Sequence, residues 1–369
     1  MALFRFGLTS LVAISFASAT YAERPDETRL RPRWQALDVN QDGKVTLDEQ
    51  NPRQAEALKR SDQNGDGVIT LAEFTDFDLD PSGVGRQPVA PNVRVVADMP
   101  YAGTTDPRQT VEILVPKKPT VQGPLPVLAY VHGGGWSTGS KVMARSQVMK
   151  LVDSGRYAAV SIGYRLSWQA HWPAQLDDVK AGVRWIRAHA REYNFDTNRV
   201  CALGPSAGGQ LVAKLGLTNG VKAAEGKVGP NLRQSSRVQC VVDMFGPVDL
   251  LSPPPVGQPR SVENLIGGKI ADMPELARSV SALADVNKSA PPFFIIHGTK
   301  DTTVNYQNSV NLEAALRTVG VPVLFQTVEG GGHGTFGNAL PAVEDRIRLF
   351  LERIFYDHST QVPTELLVK

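Results

Sequence analysis

The chain has 369 residues, of which 42% are hydrophobic and 21% are charged. This composition excludes a disordered or collagen-like chain and provides enough residues for one large core and a small appendage. The net charge is +2, but the charges are distributed unevenly along the chain, because residues 23–80 contain 14 acidic and 8 basic side chains. No basic run is long enough to indicate a nucleic-acid partner. Two cysteines are too few for a disulfide-rich scaffold or a four-thiolate zinc site.

Residues 1–22 have the pattern of a removable export signal. Arg5 supplies a positive charge, an apolar stretch runs from Phe6 to Phe16, and Thr20 and Ala22 are small residues suited to cleavage. The apolar stretch is shorter than the ~20 residues that a membrane-spanning helix needs, which argues against an anchor. We therefore expect a secreted or periplasmic protein without stable insertion in a membrane.

The acidic region 23–80 contains two twelve-residue segments, Asp38–Glu49 and Asp62–Glu73, that begin 24 residues apart. Each has oxygen-bearing side chains at positions 1, 3 and 5, a glycine at position 6 and a glutamate at position 12. Calcium takes six to eight oxygen ligands, and this spacing provides them. The candidate ligands are the side chains of Asp38, Asn40, Asp42, Glu49, Asp62, Asn64, Asp66 and Glu73 and the backbone carbonyls of Lys44 and Val68.

These segments resemble the loops of paired EF-hands, and the resemblance implies a small all-helical unit that holds two structural calcium ions. Val45 and Ile69, at position 8 of each loop, are expected to form a short two-stranded contact. Only 12 residues separate the loops, as in dockerin modules, although the terminal glutamates differ from the aspartates usual there. Asp-rich turns are the alternative, and the tandem repeat favours calcium loops.

A linker rich in proline and glycine is predicted at residues 81–92, and a catalytic domain at residues 93–369. In this domain short apolar runs alternate with helical patterns, which predicts a mostly parallel, doubly wound α/β sheet. Residues 251–290 interrupt the alternation and are expected to form an insertion near the site. Strands are predicted at Val111–Val115, Val127–Val131, Ala158–Ile162, Val200–Leu203, Val238–Met244, Phe293–Ile296 and Val323–Val328, and helices at Ala174–Tyr193, Ser206–Thr218 and Tyr306–Val319.

Ser206 lies in the segment Gly204-Pro-Ser-Ala-Gly208, between a predicted strand and a predicted helix. This is the G-x-S-x-G pattern in the strand–turn–helix context that a nucleophilic serine requires. Another strand ends in His132-Gly-Gly-Gly-Trp136, a loop type whose backbone N–H groups stabilise a developing oxyanion. We predict Ser206 as the nucleophile and assign the oxyanion hole to Gly134, Gly135 and Ala207.

The acid and the base are predicted on two further loops at strand ends. Asp301 follows the strand Phe293–Ile296, and His333 follows the strand Val323–Val328. The chain order Ser206, Asp301, His333 is the order found in α/β-hydrolases, with the histidine as base and the aspartate orienting it. Asp249 is the alternative acid. The remaining histidines are given other roles: His132 holds the oxyanion loop in shape, and His297 packs or hydrogen-bonds at a strand end. His171, His189 and His358 lie on helical or surface stretches.

Residues 93–357 resemble the α/β-hydrolase esterases, especially the branch with bacterial acetyl-xylan and feruloyl esterases. The resemblance rests on the two glycine-rich motifs, Tyr164-Arg-Leu, Trp172-Pro-Ala-Gln-Leu-Asp-Asp178 and the two loops with acid and base. Pro205 departs from the Asp, Glu or His usual before the serine. The resemblance implies a serine esterase, with a general short-chain carboxylesterase or a non-catalytic calcium-dependent binding protein as alternatives.

The expected substrate is a small-molecule or polysaccharide ester that carries a short acyl or hydroxycinnamoyl group. Trp136, Trp168 and Trp172 flank the predicted strand-end loops, where their rings either stack on sugars or pack in the core. Cys201 and Cys240 lie in two core strands. We expect buried free thiols there, with a bridge between neighbouring strands as the alternative.

Overall fold

The computed structural model describes residues 31–32, 34–51, 55, 58–59, 61–62, 67–71, 73–75, 88–250 and 261–369. Several predictions concern residues outside these ranges. They are the export signal at 1–22, most of the linker at 81–92, the calcium ligands Asn64 and Asp66, and the first ten residues of the insertion.

A nine-stranded sheet organises the catalytic domain, with the spatial order β1-β2-β4-β3-β5-β6-β7-β8-β9. The pairs β1–β2 and β2–β4 are antiparallel, and all other neighbours are parallel. The predicted α/β-hydrolase fold is therefore confirmed. The strands are β1 Val93–Pro100, β2 Thr110–Pro116, β3 Leu125–Val131, β4 Ala158–Ile162, β5 Phe195–Pro205, β6 Cys240–Met244, β7 Phe293–Gly298, β8 Val323–Glu329 and β9 Leu367–Val368.

Helices cover both faces of this sheet, because the central strands are apolar on both sides. In β3, Val127 and Ala129 belong to one buried cluster and Leu128 and Tyr130 to the other. Helices α2 and α4 pack on the first face, and α1 and α8 pack on the second. The helices of the catalytic domain are α1 Ala144–Asp153, α2 Ala174–Ala188, α3 Ala190–Tyr193, α4 Ala207–Leu217, α5 Ser261–Ile266, α6 Pro274–Val280, α7 Gln307–Thr318 and α8 Leu340–Phe355.

All seven predicted strands are present, with ends that differ by a few residues. The strand β1 was missed because it lies at the sheet edge and exposes several of its side chains, so its sequence lacks a continuous apolar run. The strand β9 was missed because it has only two residues. The predicted helix Ala174–Tyr193 is divided at His189 into α2 and α3.

The prediction of free thiols is wrong, because Cys201 and Cys240 form a disulfide. The two residues are register partners on the neighbouring parallel strands β5 and β6, and their Cα atoms lie 4.7 Å apart. That separation is within the range that a disulfide can bridge. The bridge therefore joins the strand that leads to Ser206 to the next strand of the sheet.

The described part of the acidic region has a small apolar cluster of its own. Val45 and Ile69 are fully buried there, together with Leu58 and Phe74. The expected contact between the two loops is present, because the N–H of Ile69 donates to the carbonyl of Val45 at 2.7 Å. Beside it, Thr46 and Val68 form an isolated antiparallel β-bridge. Within the described ranges, no helix combines the length and the apolar character that crossing a lipid bilayer requires.

Candidate active site

Five neighbouring strands, β3, β5, β6, β7 and β8, end at the same edge of the sheet and place the candidate site there. The glycine-rich loop follows β3, Ser206 follows β5, and Asp301 and His333 lie in the loops after β7 and β8. Between β4 and β5 the chain changes direction across the sheet, which brings β3 and β5 side by side. Carboxyl ends of strands at such a point are where α/β sheets bind ligands.

Ser206 occupies a sharp turn between β5 and α4. Its backbone has φ = 55° and ψ = −124°, a left-handed conformation that non-glycine residues rarely adopt. The N–H of Ser206 donates to the carbonyl of Met244 at 2.8 Å and so fixes the turn to the end of β6. Gly208 is required beside it, because a Cβ there would collide with the carbonyl oxygens of Val131 and His132. The turn therefore presents the serine hydroxyl at the sheet edge.

The three predicted triad side chains form one chain of hydrogen bonds. The Nε2 atom of His333 lies 2.9 Å from the Oγ atom of Ser206, and its Nδ1 atom lies 2.8 Å from the Oδ2 atom of Asp301. Because a carboxylate only accepts, Nδ1 carries the proton and Nε2 accepts from the serine hydroxyl. The structure brings Asp301, not the alternative Asp249, to His333.

The Asp301 carboxylate accepts four hydrogen bonds. Its Oδ1 atom accepts from the N–H groups of Thr303 and Val304 at 2.7 and 2.9 Å, and its Oδ2 atom accepts from His333 and His297. Burial alone raises the pKa of Asp301, but the hydrogen bonds from His297, His333 and Val304 outweigh it and hold the pKa well below its usual value. Asp301 therefore stays ionised while it orients the imidazole.

His297 and Phe245 support the site in ways that the sequence did not reveal. The Nε2 atom of His297 lies 3.2 Å from Oδ2 of Asp301, and its Nδ1 atom lies 2.7 Å from Oγ of Ser309. Phe245 follows β6, and its ring packs edge-on against His333 with the centroids 4.7 Å apart. Its φ of 49° is also left-handed, and its N–H donates to the carbonyl of Ile296 at the end of β7.

The loop His132–Trp136 is held rigidly beside Ser206. His132 is buried and stacks on Tyr164, whose hydroxyl donates to the His132 carbonyl at 3.0 Å. Trp136 donates from its indole N–H to Oε1 of Gln210 at 3.1 Å. Burial lowers the pKa of His132 to about 3, so this histidine is neutral and shapes the loop, as the sequence suggested.

The three residues predicted for the oxyanion hole come from two elements. Gly134 and Gly135 belong to the loop after β3, and Ala207 is the first residue of α4. Among the described residues, no protein acceptor takes the backbone N–H of any of the three. An N–H group at a helix start has no partner within the helix, so that of Ala207 is available to a ligand.

The three tryptophans predicted beside the site differ in exposure. Trp136 and Trp172 are buried, with 2% and 6% of their surface exposed, so their role is core packing. Trp168 keeps 42% of its surface exposed. His171 is exposed at the surface, as expected, and lines a cavity together with Trp168.

In the first calcium loop, the described ligands lie along one turn. Oxygens of Asp38, Asn40 and Asp42 accept N–H groups of the loop itself at 2.9 to 3.2 Å. The Oε2 atom of Glu49 is buried and has no hydrogen-bond partner, which suits the bidentate role of position 12. In the second loop, both Asp62 and Glu73 are described. Among the described side chains, no three His, Cys, Asp or Glu converge on one metal position.

Comparison with known proteins identifies the family. The family model BD-FAE matches residues 111–316, more than half of the chain, including Ser206 and Asp301. The chain belongs to the BD-FAE family of α/β-hydrolase esterases. An EF-hand model matches residues 35–49 and 55–79, which confirms the EF-hand region ahead of the BD-FAE domain.

Similar proteins and structures carry esterase names. Esterase LipC of Mycobacterium tuberculosis is 30% identical over 236 residues, 62% of this chain and 57% of LipC. Esterase LipQ of the same organism is 30% identical over 216 residues, 57% of this chain and 50% of LipQ. The alignments thus span about half of the length of these relatives.

Two solved structures are carbohydrate esterases by name. A truncated carbohydrate esterase from gut microbiota has a TM-score of 0.66 and 30% identity, over 72% of this chain and 99% of that one. A bifunctional GH43-CE protein of Bacteroides eggerthii has a TM-score of 0.65 and 32% identity, over 71% of this chain and 38% of that one.

Proposed function

We propose that this protein is a secreted serine esterase that hydrolyses short acyl or hydroxycinnamoyl esters of carbohydrates through an acyl-enzyme intermediate. The observation that carries the proposal is the continuous hydrogen-bond chain from Ser206 through His333 to Asp301. This is the arrangement that makes a serine hydroxyl nucleophilic at neutral pH, because the base lies within reach of its proton.

The first half of the reaction transfers the acyl group to the enzyme. The Oγ atom of Ser206 attacks the ester carbonyl carbon while Nε2 of His333 takes the hydroxyl proton. The carbonyl oxygen becomes an oxyanion, which accepts hydrogen bonds from the N–H groups of Gly134, Gly135 and Ala207. The C–O bond to the alcohol then breaks, and His333 gives its proton to the departing alkoxide oxygen. Each oxyanion donor contributes about 3 kcal/mol to transition-state stabilisation.

The second half releases the acid by the same steps with water as the nucleophile. His333 takes a proton from water, the hydroxide oxygen attacks the acyl carbon, and the bond to Oγ of Ser206 breaks as His333 returns the proton to the serine. The positive charge that appears twice on the imidazole is stabilised by the ionised Asp301. His297 and the N–H groups that hold this carboxylate keep it in place during both halves.

Two observations favour a carbohydrate ester over a long-chain lipid. The structural neighbours with 30% and 32% identity are carbohydrate esterases by name. The described part of the insertion between β6 and β7 exposes charged and polar side chains such as Asn264, Lys269 and Asp272. Such a surface suits a polar polymer better than a membrane-facing lid does. The second candidate is a general short-chain carboxylesterase, which the names of LipC and LipQ favour.

The test is hydrolysis of p-nitrophenyl esters from acetate to decanoate, alongside acetylated xylan and methyl ferulate. We expect the short esters to be preferred and acetate or ferulate to be released from plant polysaccharide. Ser206→Ala and His333→Ala should each abolish turnover while the circular dichroism spectrum stays that of the wild type. A preference for decanoate without release from polysaccharide contradicts the carbohydrate assignment. An inactive wild-type protein that still binds calcium supports the non-catalytic alternative.

Export is part of this proposal. The export signal predicted at residues 1–22 and the disulfide between Cys201 and Cys240 support it, because disulfides persist in oxidising compartments. Fractionation of cells that express the full chain tests the assignment. The protein should appear in the periplasm or medium, shortened by about 22 residues as the cleavage pattern predicts.

The EF-hand region is proposed to bind two structural calcium ions. The orphaned Oε2 atom of Glu49 and the aligned carboxylates of the first loop support one site, and the match of the EF-hand model to residues 55–79 supports the other. Equilibrium dialysis at millimolar calcium should give two bound ions per chain. Glu49→Gln should reduce that number to one, and no bound calcium in the wild type contradicts the proposal.

A further inference from the structure

The cavity lined by Trp168 and His171 has a volume of about 630 Å³ and lies beside the oxyanion loop. Its volume is within the range of small-molecule sites. One wall is Ser137, which directly follows the oxyanion-loop residue Trp136. The other walls are Trp168 and His171, from the loop after β4, and Glu263 and Lys269, from the insertion between β6 and β7.

Hydrogen bonds join the walls of this cavity to each other. The backbone N–H of Trp172 donates to the carbonyl of Leu265 at 2.8 Å, and Nδ1 of His171 lies 3.2 Å from the carbonyl of Asn264. On the opposite side, Gly135 of the oxyanion loop borders Ser261, the first residue of α5. The described part of the insertion therefore contacts both the loop after β4 and the oxyanion loop, and these walls of the cavity are joined to each other.

Trp168 is the aromatic wall of the cavity and keeps 42% of its surface exposed. Its indole N–H donates to the carbonyl of Ser137 at 3.3 Å. This bond fixes the ring to the segment that forms the oxyanion hole. A ligand stacked on the ring is consequently held beside the oxyanion loop. Positioning of this kind lowers the entropy cost of reaching the transition state.

The other lining groups define the chemistry of the ligand. Glu263 accepts hydrogen bonds, Lys269 donates them, and Asn264 does both. Among the lining residues that the structure describes, there is one carboxylate and one ammonium group, a set that favours neither an anionic nor a cationic ligand. An acyl chain would need an apolar lining, whereas a flat aromatic ring surrounded by polar groups fits a neutral sugar, with its apolar ring face and many hydroxyl groups.

We propose that this cavity is a sugar-binding subsite, in which a neutral pyranose of the substrate stacks on Trp168 and its hydroxyls bond to Glu263, Asn264 and Lys269. The inference rests on the proposed function, because it assigns a binding site to the carbohydrate part of the same ester substrate. It makes Trp168 and the insertion determinants of specificity, whereas the triad determines the chemistry.

The experiment compares two esters in the full-length protein. Acetylated xylobiose carries sugar rings, and p-nitrophenyl acetate does not. For Trp168→Ala, the ratio of kcat/KM for the sugar ester to kcat/KM for the aryl ester should fall about tenfold, mostly through KM, a change worth about 1.4 kcal/mol. Trp168→Phe should recover most of the ratio, because it keeps a flat ring, and Glu263→Gln should lower it severalfold. The control Leu232→Ala, an exposed position outside the cavity, should leave both activities at the wild-type level.

A second measurement separates failure of the subsite from failure of the esterase assignment. Unreacted xylobiose is titrated into the Ser206→Ala protein by calorimetry, with and without Trp168→Ala. Binding that depends on Trp168 supports the subsite even if the wild type hydrolyses neither ester, a result that would refute only the proposed function. Absence of binding, or an equal loss on both esters in the Trp168→Ala and Trp168→Phe proteins, overturns the subsite and leaves the esterase assignment standing.

Discussion

Asp243, at the end of β6, gives a quantitative test of the electrostatics beneath the active site. Its side chain is fully buried, and its Oδ1 atom accepts one hydrogen bond, from the N–H of Gly246 at 2.9 Å. Its Oδ2 atom has no hydrogen-bond partner. Burial therefore raises the pKa of Asp243 from 3.8 to about 6, although the Gly246 N–H and nearby His297 oppose the shift.

The sign and size of the effect on stability follow from this shift. Between about pH 4 and pH 6 the folded protein keeps a proton on Asp243 that the unfolded chain has already lost. The free energy of unfolding therefore falls as the pH rises through this window, and the full loss is present above pH 6. At 1.36 kcal/mol per pKa unit, the rise from 3.8 to about 6 corresponds to about 3 kcal/mol.

Asp243→Asn removes this pH dependence, because the amide carries no charge and is nearly the same size. We expect the variant to gain about 3 kcal/mol relative to the wild type between pH 4 and pH 7. The assay is urea unfolding at half-unit pH steps, followed by the fluorescence of the buried tryptophans. Asp345→Asn, which removes an exposed carboxylate, is the matched control. A difference between Asp243→Asn and wild type that is the same at every pH would refute the reasoning.

Three further predictions concern the acid, the disulfide and calcium. Asp301→Asn should lower kcat about 10⁴-fold, and Asp249→Asn should stay near wild type in the p-nitrophenyl acetate assay; the reverse result would make Asp249 the acid. Replacing both Cys201 and Cys240 with alanine should lower the free energy of unfolding by about 4 kcal/mol, because the unfolded chain is no longer restricted by a loop of 39 residues. An unchanged urea midpoint would contradict this. A calcium chelator should loosen the EF-hand region, detected by proteolysis, without stopping ester hydrolysis, and complete loss of activity would show that the two regions are coupled.

Much of the fold was predictable because its physical signals are local. The parallel strands are buried on both faces, so each appears in the sequence as a short apolar run between helical patterns. The residues of the triad lie directly after such runs, and strand ends converge at one edge of a sheet. The positions of Ser206, Asp301 and His333 could thus be predicted without knowledge of any contact.

The remaining features depend on which strands are neighbours and which side chains are covered. The disulfide requires that Cys201 and Cys240 face each other in register, and the apolar runs around them do not encode the register. The sequence does not distinguish Trp136, Trp168 and Trp172 from one another, but in the folded protein Trp136 and Trp172 are buried and Trp168 is exposed. The contact of His297 with Asp301 depends on the path of a loop, which composition does not determine.

The left-handed residues at the ends of β5 and β6 share one form of attachment. The backbone N–H of Ser206 donates to the carbonyl of Met244 on β6. The backbone N–H of Phe245, the residue after Met244, donates to the carbonyl of Ile296 on β7. Each sharp turn is thus held by the strand beside it, so neither can relax alone. A catalytic edge built in this way has the cooperativity of the whole sheet, and its geometry persists until the strands themselves separate. Local fluctuations that open a surface loop therefore leave Ser206 in place.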